Sequence, residues 1–249
     1  MAKLNGKVAI VSGSSKGIGA AIAERLAAEG AAVVVNYAKS AEGADAVVSR
    51  IKSKGGKARA VRADLSKPAE AKSLVETTVR DFGRLDILVN NAGVYEFLPL
   101  GEIDEAHFDR QFDLNVKGLL FATQAAASAF GDAGGSIVNI SSLASLSPIP
   151  NGSVYSATKA SVDALTKGLA AELGPKKILV NSVLPGPVET EGFHAMSGSD
   201  EIQARFVPQT PLGRIGQPRD VAGVVSFLAS DEASWITGQV IPVTGGLRI

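Results

Sequence analysis

Short apolar runs recur along the chain, each closed by turn-forming residues and followed by a stretch with helical spacing. The runs at 8–11, 32–35, 58–61, 87–89, 136–140, 179–183 and 240–243 are rich in β-branched residues. Apolar runs this short and this continuous suit strands covered on both faces, as in a parallel sheet. The intervening stretches carry recognisable helix ends. The one after Ser66 has Pro68 near its start and stops at Gly83, and others stop at Gly30 and at Gly174-Pro175. The alternation predicts an α/β fold, a Rossmann-like doubly wound parallel sheet of about seven strands with helices on both faces and right-handed crossovers. Ligands of such sheets bind beyond the carboxyl ends of the strands. One stretch breaks the rhythm. From 187 to 216 the pattern shows little strand or helix regularity, with Phe193, His194, Met196 and Phe206 set among Gly, Ser and Pro. A connection this long inside a compact domain predicts a functional segment, a lid over the site.

Composition narrows the classes. The chain has 249 residues and no obvious linker, so one domain over 1–249 is expected. Hydrophobic residues make up 45% and charged residues 20%, which supports a sizeable core and argues against disorder. Twenty-five basic residues balance twenty-five acidic ones, so nothing points to nucleic acid or an anionic membrane surface. Cysteine is absent, and the two histidines, His107 and His194, lack ligand spacing, so no metal site is expected. Residues 1–7 are polar and no apolar run approaches membrane-spanning length, which makes the cytoplasm the expected location.

Candidate chemistry sits in two places. Tyr155-Ser156-Ala157-Thr158-Lys159 places a phenol and an ammonium four residues apart, on one face of a predicted helix. A neighbouring cation favours phenolate and lowers a phenol pKa that is ordinarily about 10. A phenol so tuned exchanges a proton with a carbonyl or alcohol oxygen. Earlier, the first strand runs into Ser12-Gly13-Ser14-Ser15-Lys16-Gly17-Ile18-Gly19, where a helix opens. Its glycines allow a tight turn and close approach of an anion to the helix N-terminus, which is the logic of a dinucleotide cradle. The spacing is G-x-x-x-G-x-G rather than G-x-G-x-x-G. Residues 13–17 also fit the G-x-S-x-G nucleophile elbow around Ser15, with His194 the available base, and Ser156-x-x-Lys159 fits the S-x-x-K of acyl-enzymes. The S-D-N and K-T-G companions of the latter are missing, and an elbow on the first strand has no preceding sheet to supply an oxyanion loop.

The second strand ends at Asn36-Tyr37, where an NAD site normally carries an acid for the ribose hydroxyls. A neutral amide there does not repel a 2′-phosphate, and Lys16, Lys39 and Ser40 offer cations and a hydroxyl. NADP(H) is therefore expected over NAD(H). Asp64-Leu65 ends the third strand at the same edge, where Asp64 suits the adenine amino group.

Together with Gly13, Gly17 and Gly19, several further motifs fall in order: Asn90-Asn91-Ala92-Gly93, Leu114-Asn115-Val116, Ile140-Ser141-Ser142 thirteen residues before Tyr155, and Pro185-Gly186. In these the chain resembles the short-chain dehydrogenase/reductase family over essentially its full length. The resemblance implies a catalytic tetrad of Asn115, Ser142, Tyr155 and Lys159. In it Tyr155 exchanges the proton, and Ser142 hydrogen-bonds the carbonyl oxygen. Lys159 depresses the tyrosine pKa and holds the nicotinamide ribose, and a mid-helix Asn115 anchors a water. It also implies cofactor contacts from Asn91, Ala92, Gly93, Pro185 and Gly186, with Val188 and Thr190 at the carboxamide. Two departures are Ser12 in place of the usual Thr and Lys16 in place of a frequent Arg. The chain is similar to bacterial 3-oxoacyl-carrier-protein reductases and glucose dehydrogenases, which are usually tetramers.

The expected activity is reversible reduction of a ketone to a secondary alcohol with NADPH. A dinucleotide-binding regulator that had lost chemistry would show an eroded tetrad, and this tetrad is intact. The expected substrate walls are Tyr95, Phe97 and Leu98, residues 143–150, and the segment 187–216. They are largely apolar and favour a hydrophobic ketone over a sugar.

Overall fold

The computed structural model describes residues 3–194 and 199–247, so Met196 lies outside the described residues. Every predicted run is a strand: β1 Val8–Val11, β2 Ala32–Tyr37, β3 Lys57–Arg62, β4 Ile87–Asn90, β5 Gly135–Ile140, β6 Ile178–Pro185 and β7 Val240–Val243. They form one sheet in the order β3-β2-β1-β4-β5-β6-β7, parallel throughout. The chain winds outward from β1 to β3, then returns to build the other half from β4. The fork between β1 and β4 is thus the topological switch point.

Helices α1 Gly17–Ala28, α2 Ala41–Ser53 and α9 Pro218–Leu228 pack on one side, while α3 Pro68–Phe82, α5 Leu119–Ala129 and α6 Ser153–Leu173 pack on the other. Alternation along each strand divides the core. Ala9, Val11, Val33, Val35, Ile87 and Val89 face the first layer, and Ile10, Val34 and Leu88 face the second. Each of the Val, Leu and Ile side chains among them contributes about 1.5–3 kcal/mol by leaving water. That two-sided burial is why the strands read as unbroken apolar runs. Pro68 opens α3, and Gly83, with φ 79°, closes it in the left-handed conformation that glycine supplies.

Two expectations are corrected. Asn115 does not lie mid-α-helix; it sits in a π-helical turn, Asp113–Gly118, between α4 Glu105–Phe112 and α5. There the helix presses on the end of β3 so closely that a Cβ on Gly118 would lie 2.5 Å from the Leu65 carbonyl oxygen. The segment 187–216 is more regular than its glycines and prolines suggest. It is pinned shut by a bridge between Val188 and Gly216 and carries two short helices, α7 Glu191–His194 and α8 Ser199–Phe206. Glu201, Gln203, Ala204 and Arg205 are good helix formers, which accounts for α8.

A buried polar chain ties the central strands to α5 and α6 of the second layer. Asn90 and Asn139 are register partners across β4 and β5, and Asn90 Nδ2 donates to Asn139 Oδ1 (2.9 Å) and Thr123 Oγ1 (3.0 Å). Asn139 Nδ2 in turn donates to Thr166 Oγ1 at 2.9 Å. Removing the middle member orphans groups that have no access to water. Asn139→Leu is expected to cost about 2–4 kcal/mol of stability, read as a lower urea midpoint, because each unsatisfied buried group costs about 1–3 kcal/mol.

Candidate active site

The cradle is formed as β1 ends. Gly13 and Gly17 both have φ 58°, a conformation that side chains resist, and a Cβ on Gly13 would lie 2.8 Å from the Ala92 Cα. A Cβ on Gly19 would lie 2.4 Å from Asn91 Nδ2. Short polar side chains fasten this turn to its neighbours. The Ser12 hydroxyl donates to the Val89 carbonyl and accepts from the amides of Asn91 and Ala92. Asn91 Nδ2 donates to the carbonyls of Ser12 and Gly13. Helix α1 begins without a side-chain cap or an acid in its first turn, so its leading N–H groups face the cleft. From the segment 187–216, Glu191 Oε2 accepts from the Gly17 amide at 3.2 Å. A carboxylate at that spot shows what charge the turn favours.

A cleft of about 740 Å³ runs from this turn along the ends of β2 and β3. It is lined by Gly13, Ser15, Lys16, Gly17, Ile18, Gly19, Tyr37, Lys39, Ser40, Asp64, Leu65, Ala92, Gly93 and Thr190. Lys16 and Lys39 are exposed at its rim, with no salt bridge among the described residues. Asn36 also lines this cleft, although its side chain is engaged in bracing it. Its side chain turns inward, is 1% exposed, accepts from the Gly13 amide at 3.1 Å and donates to the Ala63 carbonyl at 3.1 Å. It braces the cradle, and no acid takes its place facing the cleft at the end of β2. Asp64 also has a local duty: its Oδ1 accepts from the amide and hydroxyl of Ser66, a bond that lowers its pKa.

The cleft continues into a cavity of about 240 Å³ lined by Ser142, Tyr155, Lys159, Pro185, Gly186, Val188, Thr190 and Phe193, with Ile18, Asn91, Gly93 and Tyr95 shared between the two spaces. Three of the four tetrad residues therefore meet in one cavity. Asn115 stands behind the wall, where a Cβ on Gly93 would lie 3.2 Å from its Oδ1 and 3.6 Å from Lys159 Nζ. Glycine at 93 is what allows that closeness. Ser142 caps the short turn Leu143–Ser145 by accepting from the Ala144 amide, and it lines the same cavity as Tyr155, whose pKa its hydroxyl pulls downward. Ser156, by contrast, is buried with its hydroxyl unpartnered, so it is not engaged by Lys159 as an S-x-x-K nucleophile would be. The side chain of His194 lies outside the described residues.

Two supporting residues were not anticipated from sequence. Thr158 links α6 to Asn115, accepting from its Nδ2 at 3.1 Å and donating to the Tyr155 carbonyl. Asp163, one turn beyond Lys159, accepts from Ser145 and Ser182 and so joins α6 to the Ser142 turn and to β6. The i,i+4 spacing of Lys159 and Asp163 was the available signal; Thr158 had none.

Electrostatics overturn one expectation. Burial raises the Tyr155 phenol above its ordinary pKa, against the lowering bond from Ser142, and Tyr95 adds to the rise. Lys159 does not bring it down in the protein alone. Its Nζ donates to the Ile140 carbonyl at 2.8 Å and sits 5.8 Å from the Tyr155 ring centre. Burial also depresses Lys159 itself to about 8, with Asp163 pulling the other way. Desolvation penalises both charged forms, so both groups are pushed toward neutrality. The consequence for stability follows from linkage. Between the folded value of about 8 and the unfolded value near 10.5, the unfolded chain binds more protons. Relative to Lys159→Met, the wild-type protein is expected to gain up to about 3 kcal/mol as pH rises through that window, and nothing below it. Urea unfolding of both proteins at a series of pH values measures the difference.

The geometry has close counterparts. A family profile described as enoyl-(acyl carrier protein) reductase matches residues 13–248. An uncharacterised oxidoreductase of Methylorubrum extorquens is 58% identical over the whole of both chains. Versicolorin reductase 1 of Aspergillus parasiticus is 41% identical, covering 98% of this chain and 97% of its own. A short-chain dehydrogenase of Burkholderia cenocepacia, solved in complex with NADP, superposes with a TM-score of 0.92 at 39% identity, covering 98% and 99% of the two chains. With the switch-point cradle, the shared cavity and these relatives in agreement, the chain belongs to the short-chain dehydrogenase/reductase family of oxidoreductases.

Proposed function

We propose that the protein reduces a hydrophobic ketone to a secondary alcohol with NADPH, and runs the reverse oxidation when the alcohol is supplied. The observation that carries this reading is the meeting of Tyr155, Ser142 and Lys159 in one cavity that opens directly onto an anion-ready glycine turn. The turn fits a dinucleotide: Gly13 and Gly19 leave no room for a Cβ, and α1 begins without a cap from its own N-cap residue, its first amide meeting the Glu191 carboxylate. Lys16, Lys39 and Ser40 would hold the 2′-phosphate, Asp64 and Leu65 the adenine side, and Val188 and Thr190 the nicotinamide end. Asn36 contributes by turning inward, which leaves the end of β2 without a carboxylate to repel the extra phosphate. The B. cenocepacia relative solved with NADP supports the same choice.

The bound nucleotide supplies a hydride to the carbonyl carbon. Tyr155 holds the proton destined for the carbonyl oxygen, since a phenol of ordinary pKa about 10 is protonated at neutral pH. Ser142 steadies the negative charge that develops on that oxygen. Lys159 holds the ribose and supplies positive potential beside the phenol. Asn115 fixes the main chain at Val94 and, through Thr158, the first turn of α6. Tyr95, Val188 and Phe193 give the cavity an apolar lining, with Phe97 edge-on to Tyr155 beside it, suited to a hydrophobic substrate rather than a sugar.

Two measurements test the reading. Tyr155→Phe is expected to lower kcat for ketone reduction by about 10²-fold or more while NADPH still binds, and an unchanged kcat would sink the mechanism. Lys39→Glu is expected to weaken NADPH about tenfold or more and leave NADH nearly unaffected, because only the former carries the 2′-phosphate. Initial rates with both nucleotides across a panel of ketones, β-ketoesters and glucose provide the comparison.

A further inference from the structure

Helix α4 and the π turn after it present two carboxamides, four residues apart, to the loop that leaves β4. Asn115 Oδ1 accepts from the Val94 amide at 2.8 Å, and its Nδ2 donates to the Val94 carbonyl at 2.8 Å. Gln111 treats Glu96 the same way, accepting from its amide at 3.4 Å and donating to its carbonyl at 3.2 Å. Each carboxamide offers one backbone unit the donor and acceptor that a neighbouring strand would offer. The spacing matches: alternate residues of an extended chain repeat about every 6.6 Å, and four helical residues rise about 6 Å.

The orientation of the Gln111 amide is itself determined. His107 Nε2 lies 2.9 Å from Gln111 Nε2, and an amide nitrogen can only donate, so the ring nitrogen accepts. On its other side the ring's Nδ1 lies 3.5 Å from Glu96 Oε2 without a hydrogen bond, while Arg110 Nη2 reaches the same oxygen at 2.8 Å. Gln111 is fully buried and His107 is 2% exposed. An amide placed there is costly unless its oxygen and nitrogen are matched, and Glu96 and His107 are the groups that match them.

The loop's side chains show what this clamp orients. In an extended segment, Tyr95 and Phe97 share one face. Their rings stack with centres 6.0 Å apart, and both stand edge-on to Tyr155, at 6.3 and 5.9 Å. We propose that Gln111 is a positioning residue for substrate selection: by pairing with Glu96 it holds Tyr95 and Phe97 against Tyr155 and so favours flat aromatic ketones over small aliphatic ones. This rests on the reading of the Tyr155 cavity as a ketone site.

Gln111→Met keeps the length and removes the amide. In the full-length variant, amide hydrogen exchange in 94–98 is expected to accelerate about three- to tenfold, with β4 and α6 unchanged. The KM for 1-tetralone should rise by a similar about three- to tenfold factor, while kcat/KM for butan-2-one and the NADPH Kd stay within about twofold. His107→Leu, which leaves Gln111 in place and removes the acceptor that orients it, should shift both readouts the same way and by less. It carries the test if Gln111→Met loses its cooperative unfolding transition. Unchanged exchange at 94–98, or equal losses with both ketones, overturns the proposal. A wild-type enzyme inert toward both ketones refutes the ketone reading instead, and the exchange rates then decide alone whether Gln111 holds the loop.

Discussion

Everything at the candidate site hangs on the fork between β1 and β4, and the fork is held by three short polar side chains. Where two parallel strands part, the backbone groups at their ends lose partners while remaining out of water, a costly state unless other groups step in. Ser12 bonds to both amides at the start of the next loop, Asn91 reaches back to two carbonyls, and Asn36 takes the Gly13 amide from the neighbouring strand. The fork can therefore stay open without leaving its own backbone unsatisfied. The glycine turn, the position of α1 and the place where Gly93 meets Lys159 all follow from that fastening.

The second organising feature is α6. One helix carries Tyr155 and Lys159 into the cavity, Thr158 to Asn115, and Asp163 to the turn that holds Ser142. The cavity-lining Tyr155 and Lys159 and their supports Thr158 and Asp163 are thus parts of one rigid element, which keeps their mutual distances fixed. Burial drives the phenol and the ammonium toward their neutral forms, and Asp163 opposes this at Lys159. Displaced titrations of this kind cluster at functional clefts, although of the two only the Lys159 shift moves toward neutral pH.

Strands were the most legible part of the sequence. A strand buried on both faces must be apolar at nearly every position, which made the central strands legible. The edge strands β3 and β7, partly exposed, were read from their place in the alternation, and no boundary shifted by more than two residues. The cleft residues were legible because glycine at 13, 17 and 19 answers a steric demand that few other features impose. The π turn at Asn115 was not, since it arises where α5 abuts Leu65, a contact between segments about fifty residues apart. Nor was the clamp at Gln111: a glutamine on a helix reads as a solvated position until the loop it grips is folded against it.

By itself, then, the sequence determined the order of elements, the sheet's two-sided core and the set of residues gathered at its carboxyl edge. These depend on periodicity and on local backbone demands, which are written in neighbouring residues. Only the tertiary structure decided which way those residues act. It turned Asn36 inward as a brace, pointed Lys159 at the Ile140 carbonyl, and raised the Tyr155 phenol that a nearby cation had been expected to lower. The reason is that desolvation and hydrogen-bond direction are set by what packs around a group from distant parts of the chain, and local spacing carries no record of it.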